Sequence, residues 1–275
     1  MMEVNSMPFD VLPDGKKLYY EIHGLSENPT IVMLSGIMMS CASWQIFLDK
    51  MTRNLRVVLV DLRDQGRSSY ESEQYSISLH VEDLEHLFCS LQMERFHLYG
   101  ISYGAQVAML YALNHPERVR TLLLFNAPPR TTPYIAEVGE AWKEAAKSYD
   151  GEKFFALAIP YAYSYSFYNK SLLWLKERQK MFKKILTREW FDGFIRLAST
   201  NEDFSVIGRL SKIECPVLLV GSDKDTITPL EEMELIQKEI PHAEFLVIKD
   251  SGHASIIEKP EEFVTAITGF VLKHK

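Results

Sequence analysis

Ser102 is the strongest candidate nucleophile in this chain, because it is the centre of the pattern Gly100-Ile101-Ser102-Tyr103-Gly104. Apolar residues 96–99 predict a buried strand before it, and apolar residues at helical spacing over 103–113 predict a helix after it. A direct strand-to-helix turn forces its central residue into a strained backbone conformation, and the flanking glycines remove Cβ atoms that would collide there. The pattern predicts a serine hydroxyl at the end of a strand, above a helix N-terminus that favours an oxyanion.

His253 is the histidine best suited to activate this serine, since a hydroxyl is a weak nucleophile until a base takes its proton. His253 follows the predicted strand 244–248, in a loop at the same sheet edge as Ser102. The other histidines lie in or beside helices, at strand edges or in the tail. We expect structural or solvated roles for them: His23, His80, His86, His97, His115, His242 and His274.

An aspartate in the loop Gly221 to Pro229 could orient the histidine and stabilise its imidazolium. That loop offers Asp223 and Asp225, and either could instead cap a turn. Asn126, at the end of an earlier strand, carries no charge and cannot replace them. The residues alone leave Asp223 and Asp225 both open.

Two backbone N–H groups could hold an oxyanion beside Ser102, as acyl transfer requires. One belongs to Tyr103, the residue after the nucleophile. The other is expected from Ile37, in the loop after the predicted strand 30–35, where Gly36 allows a close backbone approach.

The elements that must position these groups alternate along the chain. Strands are predicted over residues 30–35, 56–61, 96–99, 119–125, 215–221 and 244–248, the first three of them buried. Helices are predicted over residues 44–51, 76–91, 103–113, 231–239 and 260–272. A turn at Pro13-Asp14-Gly15 predicts an opening β-hairpin. This alternation indicates the α/β class, with a mostly parallel central sheet flanked by helices.

The alternation stops between residues 128 and 211. The spacing there predicts four helices, over 136–148, 152–158, 171–185 and 189–199, and no convincing buried strand. We therefore predict a core of residues 1–127 and 212–275, with residues 128–211 inserted as an all-helical lid (cap) over the sheet's carboxyl edge.

Aromatic residues are candidates for the wall of a substrate pocket under this lid. Tyr161, Tyr163 and Tyr165 alternate, so an extended backbone would put them on one face. Trp44, near the loop that follows the first buried strand, is a fourth candidate. The alternative is that these side chains only pack the lid onto the sheet.

Composition excludes some classes of partner. A formal charge of −7 argues against nucleic acid and anionic membranes as partners. The cysteines Cys41, Cys89 and Cys215 lack metal-type spacing and favour a reduced compartment. Met1 to Asp10 lacks the apolar core of a signal peptide, and no apolar run approaches a membrane span. We expect a cytoplasmic monomer or homodimer with no metal and no organic cofactor.

These motifs resemble the α/β-hydrolase superfamily, in its branch with a helical lid. The resemblance is carried by Gly100 to Gly104, Asp61 to Ser68, Gly221 to Pro229 and His253 to Phe263, and it covers nearly all of the chain outside the lid. The family often has Asp-x-x-x-Pro in the acid loop, which matches Asp225 and Pro229. The resemblance therefore favours Asp225 over Asp223.

Two departures from the family pattern stand out. Ser35 replaces a common histidine before Gly36, and Asp64 replaces a common glycine. The first leaves the main-chain oxyanion donor intact but changes the surroundings of the pocket.

The resemblance implies a Ser102-Asp225-His253 triad that hydrolyses a small carboxylic ester, thioester or lactone through an acyl-enzyme. Haloalkane dehalogenases and epoxide hydrolases of this fold have an aspartate where Ser102 stands, so both activities are disfavoured. Carbon–carbon bond hydrolysis and acyl transfer to another acceptor use the same triad and stay open. A non-catalytic receptor for small molecules is a further alternative.

Overall fold

Runs of β-branched and apolar residues form the strands of a single sheet in the computed structural model, which describes residues 8–275. The eight strands are β1 (Phe9–Val11), β2 (Lys17–His23), β3 (Thr30–Leu34), β4 (Arg56–Asp61), β5 (Phe96–Ile101), β6 (Val119–Phe125), β7 (Val217–Ser222) and β8 (Glu244–Ile248). Residues 1–7, on which the signal-peptide prediction mainly depends, lie outside the described residues.

The sheet has the strand order β1-β2-β4-β3-β5-β6-β7-β8. The first two strands form the predicted antiparallel hairpin, and β2 pairs antiparallel with β4. All pairs from β4 to β8 are parallel. The prediction of a mostly parallel sheet is confirmed, and β5, which precedes Ser102, lies near its centre.

Helices flank the sheet on both faces. In chain order they are α1 (Gln45–Met51), α2 (Ser78–Ser90), α3 (Tyr103–Asn114), α4 (Pro133–Ala146), α5 (Gly151–Ala158), α6 (Tyr165–Lys170), α7 (Leu172–Ile185), α8 (Arg188–Ser199), α9 (Leu230–Glu239), α10 (Ser255–Glu258) and α11 (Pro260–Lys273). None of them is both long and apolar enough to cross a lipid bilayer, a statement that covers residues 8–275.

Two apolar cores hold these layers together, one on each face of the sheet. On one face Leu98 and Leu124 pack with residues of α2 and α3. On the other face Tyr99 and Phe125 pack with Phe263 of α11. Because successive strand residues point to opposite faces, the continuous apolar runs of β5 and β6 fill both cores.

Residues 128–211, here called the helical segment, contain α4 to α8 and a third apolar cluster that includes Phe154, Phe191 and Phe194. Their one β-bridge joins Arg130 to Ser205. The backbone from Tyr161 to Tyr165 is not extended throughout, so the condition for these tyrosines to share one face is not met: residues 159–162 form a 3₁₀ turn, and α6 begins at Tyr165.

Polar contacts join the helical segment to loops of the sheet. Arg196 of α8 binds Asp64 through Nη2–Oδ1 and Nε–Oδ2 distances of 2.6 and 3.2 Å. Asp64 has φ 59°, which explains the family preference for glycine at that position. On the opposite side, the Ser164 hydroxyl donates to Glu258, 2.6 Å away.

Candidate active site

Ser102 occupies the turn between β5 and α3, with φ 53° and ψ −117°. A Cβ at Gly100 would lie 2.3 Å from the Gly104 carbonyl oxygen, and one at Gly104 would lie 2.4 Å from the Leu34 carbonyl oxygen. Contacts this short exclude any side chain at either glycine. The two glycines thus permit the sharp strand-to-helix turn that was predicted, and Ser102 is only partly buried at its apex.

His253 is within hydrogen-bond distance of both Ser102 and Asp225. Its Nε2 is 2.9 Å from Ser102 Oγ, and its Nδ1 is 2.7 Å from Asp225 Oδ2. The three residues come from the loops after β5, β7 and β8, which all end at the carboxyl edge of the parallel sheet. The side chains that the sequence proposed for one site therefore lie together.

Asp225 is almost fully buried and accepts several hydrogen bonds. Its Oδ1 accepts from the backbone N–H groups of Ile227 and Thr228, at 2.8 and 2.9 Å. Burial by itself would raise the pKa of Asp225, but the charge of His253 and the hydrogen bonds from His253 and Thr228 outweigh it and lower that pKa below its usual value. The carboxylate is therefore ionised at neutral pH.

Asp223 lies apart from the imidazole. Its carboxylate accepts a long hydrogen bond of 3.4 Å from the Ser251 N–H and lies 3.5 Å from the Lys224 ammonium. The geometry thus separates the two aspartates that the residues alone left open.

Two polar residues that the sequence analysis did not assign to the site hold Asp225. Asn126 donates its Nδ2–H to Asp225 Oδ2 at 2.6 Å, and the Thr228 hydroxyl donates to the same oxygen at 2.7 Å. Asn126 directly follows β6 and has φ 45°, a conformation that asparagine tolerates better than most residues. An asparagine directly after a buried strand was the available signal, but only its lack of charge was considered.

The loop after β3 passes beside the nucleophile. A Cβ at Gly36 would lie 3.7 Å from Ser102 Cβ, so the backbone entering Ile37 is close to the reacting oxygen. Tyr103 is the first residue of α3, and N–H groups in a first helical turn have no intrahelical acceptor. Ile37 and Tyr103, the residues predicted to hold an oxyanion, line the same cavity as Ser102.

Trp44 does not line a pocket, contrary to expectation. Its side chain is only 1% exposed and stacks on Phe263 in the core beneath the sheet. Its indole Nε1–H donates to Ser35 Oγ at 2.9 Å, immediately before Gly36. Gln65 Nε2 donates to the Gly36 carbonyl at 3.0 Å. Trp44 therefore stabilises the loop that leads to Ile37. The serine that stands in place of the family's histidine before Gly36 accepts this indole hydrogen bond.

A cavity of about 70 Å³ opens beside Ser102, between α3 and the helical segment. Its apolar wall is formed mainly by Ile37, Pro128, Ile135, Val138, Trp142 and Ile227. The tyrosines Tyr161, Tyr163 and Tyr165 are not among its lining residues. Tyr165 is 86% exposed, Tyr161 is 45% exposed, and Tyr163 stacks on Phe167 with 5.1 Å between ring centroids. These tyrosines therefore do not line this cavity: Tyr161 lies in the 3₁₀ turn of residues 159–162, Tyr163 follows that turn, and Tyr165 begins α6.

His80 belongs to a buried hydrogen-bond chain rather than to a helix surface. Its Nε2 is 3.0 Å from the hydroxyl of Tyr103, which is 2.6 Å from Thr200 Oγ1. Burial, and then the charge of Arg63, lowers the pKa of His80 to about 3, so its imidazole is neutral. This chain fixes the side chain of Tyr103, the residue after the nucleophile, against the end of α8.

Clusters of three or more His, Cys, Asp or Glu side chains suited to a metal ion do not occur within residues 8–275. The polar groups that converge at this edge are a hydroxyl, an imidazole, a carboxylate and backbone N–H donors. Such a set is suited to nucleophilic attack by Ser102 and proton transfer by His253.

Known proteins resemble this chain over most of its length. A family model described as alpha/beta hydrolase fold matches residues 29–260. The chain is 25% identical to "Putative carbamate hydrolase RutD" of Agrobacterium fabrum over 263 residues, which cover 93% of this chain and 98% of the relative.

Two solved structures are similar over nearly the whole chain. MGS-M2, an alpha/beta hydrolase enzyme from a Medee basin deep-sea metagenome library, has a TM-score of 0.91 and 34% identity and covers 95% of this chain and 96% of its own. Est816, an N-acyl homoserine lactone degrading enzyme, has a TM-score of 0.78 and 28% identity, with coverage of 96% and 100%.

Proposed function

Because the chain belongs to the α/β-hydrolase fold family, we propose that it is a serine hydrolase that cleaves small carboxylic esters, thioesters or lactones through an acyl-enzyme on Ser102. The observation that carries the proposal is the continuous line of hydrogen-bond contacts from Ser102 through His253 to Asp225, at 2.9 and 2.7 Å. An ionised Asp225 keeps the proton of the neutral imidazole on Nδ1, which leaves Nε2 free to accept the serine proton.

The reaction proceeds in two halves. In the first, Ser102 Oγ attacks the substrate carbonyl while His253 Nε2 takes its proton and then delivers it to the leaving group. In the second, a water molecule gives a proton to His253 and attacks the acyl-enzyme carbonyl; the bond to Ser102 Oγ then breaks, His253 returns the proton to that oxygen, and the acid leaves. Asp225 stabilises the imidazolium in both halves, and it stays ionised throughout.

The backbone N–H groups of Ile37 and Tyr103 are proposed to hold the oxyanion. Both flank Ser102, and the contacts of Trp44 and Gln65 with the loop of Ile37 fix it before substrate arrives. Donors that need no rearrangement stabilise the developing charge more than mobile ones do.

The size of the cavity favours a small acyl group. At about 70 Å³ the cavity is well below the ~300–1,000 Å³ typical of pockets for drug-sized ligands. We propose that residues 128–211 act as the lid over this site, because residues of α4 and α8 form one wall of the cavity. The lactone-degrading activity named for Est816, and the hydrolase named for the Agrobacterium relative, support the same class of reaction.

The test is turnover of p-nitrophenyl butyrate by the wild type and by Ser102→Ala. We expect the substitution to lower kcat by a factor of about 10³ or more, with Ser90→Ala as a control on the exposed end of α2. A fluorophosphonate probe should label the wild type with a stoichiometry of one per chain and leave Ser102→Ala unlabelled. Labelling without turnover of esters, thioesters or lactones would point to another acceptor or to carbon–carbon cleavage, and an unreactive Ser102 would point to a receptor.

A further inference from the structure

The peptide unit between Gly36 and Ile37 carries one of the two proposed oxyanion donors, and its carbonyl oxygen accepts two hydrogen bonds. The Met39 N–H donates to the Gly36 carbonyl at 3.0 Å, and Gln65 Nε2 donates to the same oxygen at 3.0 Å. A peptide unit is planar and trans, so its C=O and its N–H point in opposite directions. The two donors on the carbonyl therefore also fix the direction of the Ile37 N–H.

The Ile37 N–H is available to a ligand in the cavity. No backbone carbonyl of residues 8–275 accepts from it. Ile37 lines the same cavity as Ser102, and a Cβ at Gly36 would lie 3.7 Å from Ser102 Cβ. A backbone donor without a carbonyl partner, close to the nucleophile, is what stabilisation of an oxyanion requires.

Stability alone does not account for a glutamine at position 65. Gln65 is only 2% exposed, and its amide Oε1 has no hydrogen-bond partner among residues 8–275. A buried acceptor without a partner destabilises the folded state, and an apolar side chain of similar length would avoid that loss. The amide supplies what an apolar side chain cannot, which is the donation from Nε2 to the Gly36 carbonyl and, at 3.5 Å, to the Ile37 carbonyl.

The loop of Gln65 holds this amide against the peptide. The residues directly before and after Gln65 have φ 59° and 53°, so the chain turns sharply on both sides of it. The buried carboxylate of Asp61 joins this loop to the one that contains Ile37. Its Oδ2 accepts from the Arg67 N–H at 2.9 Å, and its Oδ1 accepts from the Cys41 N–H at 2.6 Å. The two loops are therefore held at a fixed separation.

We propose that Gln65 is a positioning residue of the oxyanion site, whose amide holds the Gly36–Ile37 peptide so that the Ile37 N–H points at the developing oxyanion before substrate binds. The inference rests on the proposed hydrolysis by Ser102. Gln65 does not line the cavity, so it acts through the peptide rather than on the substrate. Donation to a carbonyl polarises its peptide unit, which makes the N–H a stronger donor. A donor oriented in advance stabilises the transition state more than the bound ester.

The test compares two inhibitors with the same skeleton, propyl trifluoromethyl ketone and propyl methyl ketone, against hydrolysis of p-nitrophenyl butyrate by the full chain. Ser102 Oγ bonds to the carbonyl carbon of the fluorinated ketone, the hydroxyl proton passes to His253, and the carbonyl oxygen becomes an oxyanion. The methyl ketone binds mainly as the intact carbonyl. The inhibition constant of the methyl ketone divided by that of the fluorinated ketone, here called the oxyanion ratio, therefore measures how well the site holds an oxyanion.

Gln65→Met removes the donor and keeps a side chain of similar length. We expect it to lower the oxyanion ratio, and kcat/KM for the ester, by about 10- to 100-fold, because the oxyanion donor is displaced but not removed; outright removal of one donor costs ~10²–10³-fold. The inhibition constant of the methyl ketone should change about twofold at most. The control is Gln74→Met, since the exposed Gln74 donates its Nε2–H to the Arg196 carbonyl at 3.1 Å and should leave the oxyanion ratio unchanged.

Each outcome decides the proposal. An oxyanion ratio in Gln65→Met within about twofold of the wild type overturns it, including the case in which both ketones are weakened equally. The same fall in Gln74→Met also overturns it. Inhibition constants do not depend on the concentration of folded enzyme, so a partly unfolded variant still gives the ratio. If the wild type hydrolyses no ester, thioester or lactone, the proposed hydrolysis fails and the role of Gln65 fails with it, whereas turnover with an unchanged ratio removes the role of Gln65 alone.

Discussion

Replacing Asp225 with asparagine tests the proposed mechanism most directly, because every hydrogen-bond site of this carboxylate is in use. Oδ1 accepts from the N–H groups of Ile227 and Thr228, and Oδ2 accepts from Asn126, from the Thr228 hydroxyl and from His253. An asparagine must turn its NH₂ group toward one of these two sets of donors.

The backbone side is the worse choice for that NH₂ group. The N–H groups of Ile227 and Thr228 cannot rotate away, so both would lose their acceptor. On the other side the hydroxyl of Thr228 can turn and His253 can move its proton from Nδ1 to Nε2, so only the Asn126 Nδ2–H loses its acceptor. The second arrangement is therefore expected in Asp225→Asn, and it leaves His253 in the wrong tautomer.

The size of the effect follows from that tautomer. In that tautomer the His253 Nε2 carries a proton that points at Ser102 Oγ, 2.9 Å away. Nε2 then cannot accept the proton of the serine hydroxyl. We expect kcat to fall about 10⁴-fold, the order found when another triad aspartate was made asparagine. At ~1.36 kcal/mol per tenfold change, this is about 5.5 kcal/mol of transition-state stabilisation. The loss of charge-assisted hydrogen bonds lowers the free energy of unfolding by only about 1–3 kcal/mol, which a stable domain survives.

The assay is ester hydrolysis at pH 7 to 8, with urea unfolding of the same samples to confirm that the variant is folded. Asp223→Asn is the matched control, because that carboxylate has only the long contact with the Ser251 N–H and the ion pair with Lys224. We expect it to change kcat about threefold at most. A folded Asp225→Asn within tenfold of wild type, or an equal loss in Asp223→Asn, would refute the assignment of Asp225.

Three further predictions concern stability, measured as the free energy of unfolding in urea. Burial lowers the pKa of His80 from 6.5 to about 3, so below pH 6.5 the unfolded state binds more protons than the folded state, and the free energy of unfolding falls by up to about 1.4 kcal/mol per pH unit toward pH 3. Between pH 7 and pH 5 the wild type should therefore lose about 2 kcal/mol more of this free energy than His80→Gln does. Equal losses in the two proteins would contradict the buried, neutral state of His80. Gly104→Ala should lower stability by roughly 2–4 kcal/mol, since its Cβ would lie 2.4 Å from the Leu34 carbonyl oxygen and 2.6 Å from that of Ser35; a neutral effect would disprove the close approach. Gly269→Ala, in the interior of α11 with no atom within 4 Å of the new Cβ, should raise stability by about 0.5–1 kcal/mol, and a loss would show an unrecognised contact.

The parts of the fold that could be predicted from the sequence are those that local residue patterns determine. A short continuous apolar run, such as that of β5, predicts a buried strand, and β5 is buried along its whole length. The strand over residues 244–248 has the predicted bounds. The turn at Ser102 is specified by the two flanking glycines, whose missing Cβ atoms are needed within a span of five residues. A general property of parallel sheets, that the loops after successive strands meet at one edge, brings the loops of Asp225 and His253 to Ser102, whereas the choice of Asp225 over Asp223 depended on the family resemblance.

The parts that could not be predicted depend on contacts between distant residues. Trp44 was expected in the pocket, but its partners Ser35 and Phe263 make it a core residue that supports the loop of Ile37. Asn126 and Asp225 are separated by 99 positions, and nothing in either local sequence indicates their hydrogen bond. The alternation of Tyr161, Tyr163 and Tyr165 does not determine the backbone conformation there, which is a 3₁₀ turn followed by the start of α6.

The helical segment is joined to each loop that supplies a proposed catalytic group, so its sequence affects catalysis as well as specificity. The hydroxyl of Tyr103 bonds Thr200 at the end of α8, and the N–H of Ala254, next to His253, donates to the Ala162 carbonyl at 2.7 Å. The carboxylate of Glu258 also binds the Ser164 N–H and the Gly252 N–H, at 2.8 and 3.0 Å. A shift of the helical segment would therefore move the backbone on both sides of the serine–histidine contact. Because a displacement of about 1 Å in a reacting group can cost ~10²-fold in rate, substitutions in this segment should alter kcat together with KM.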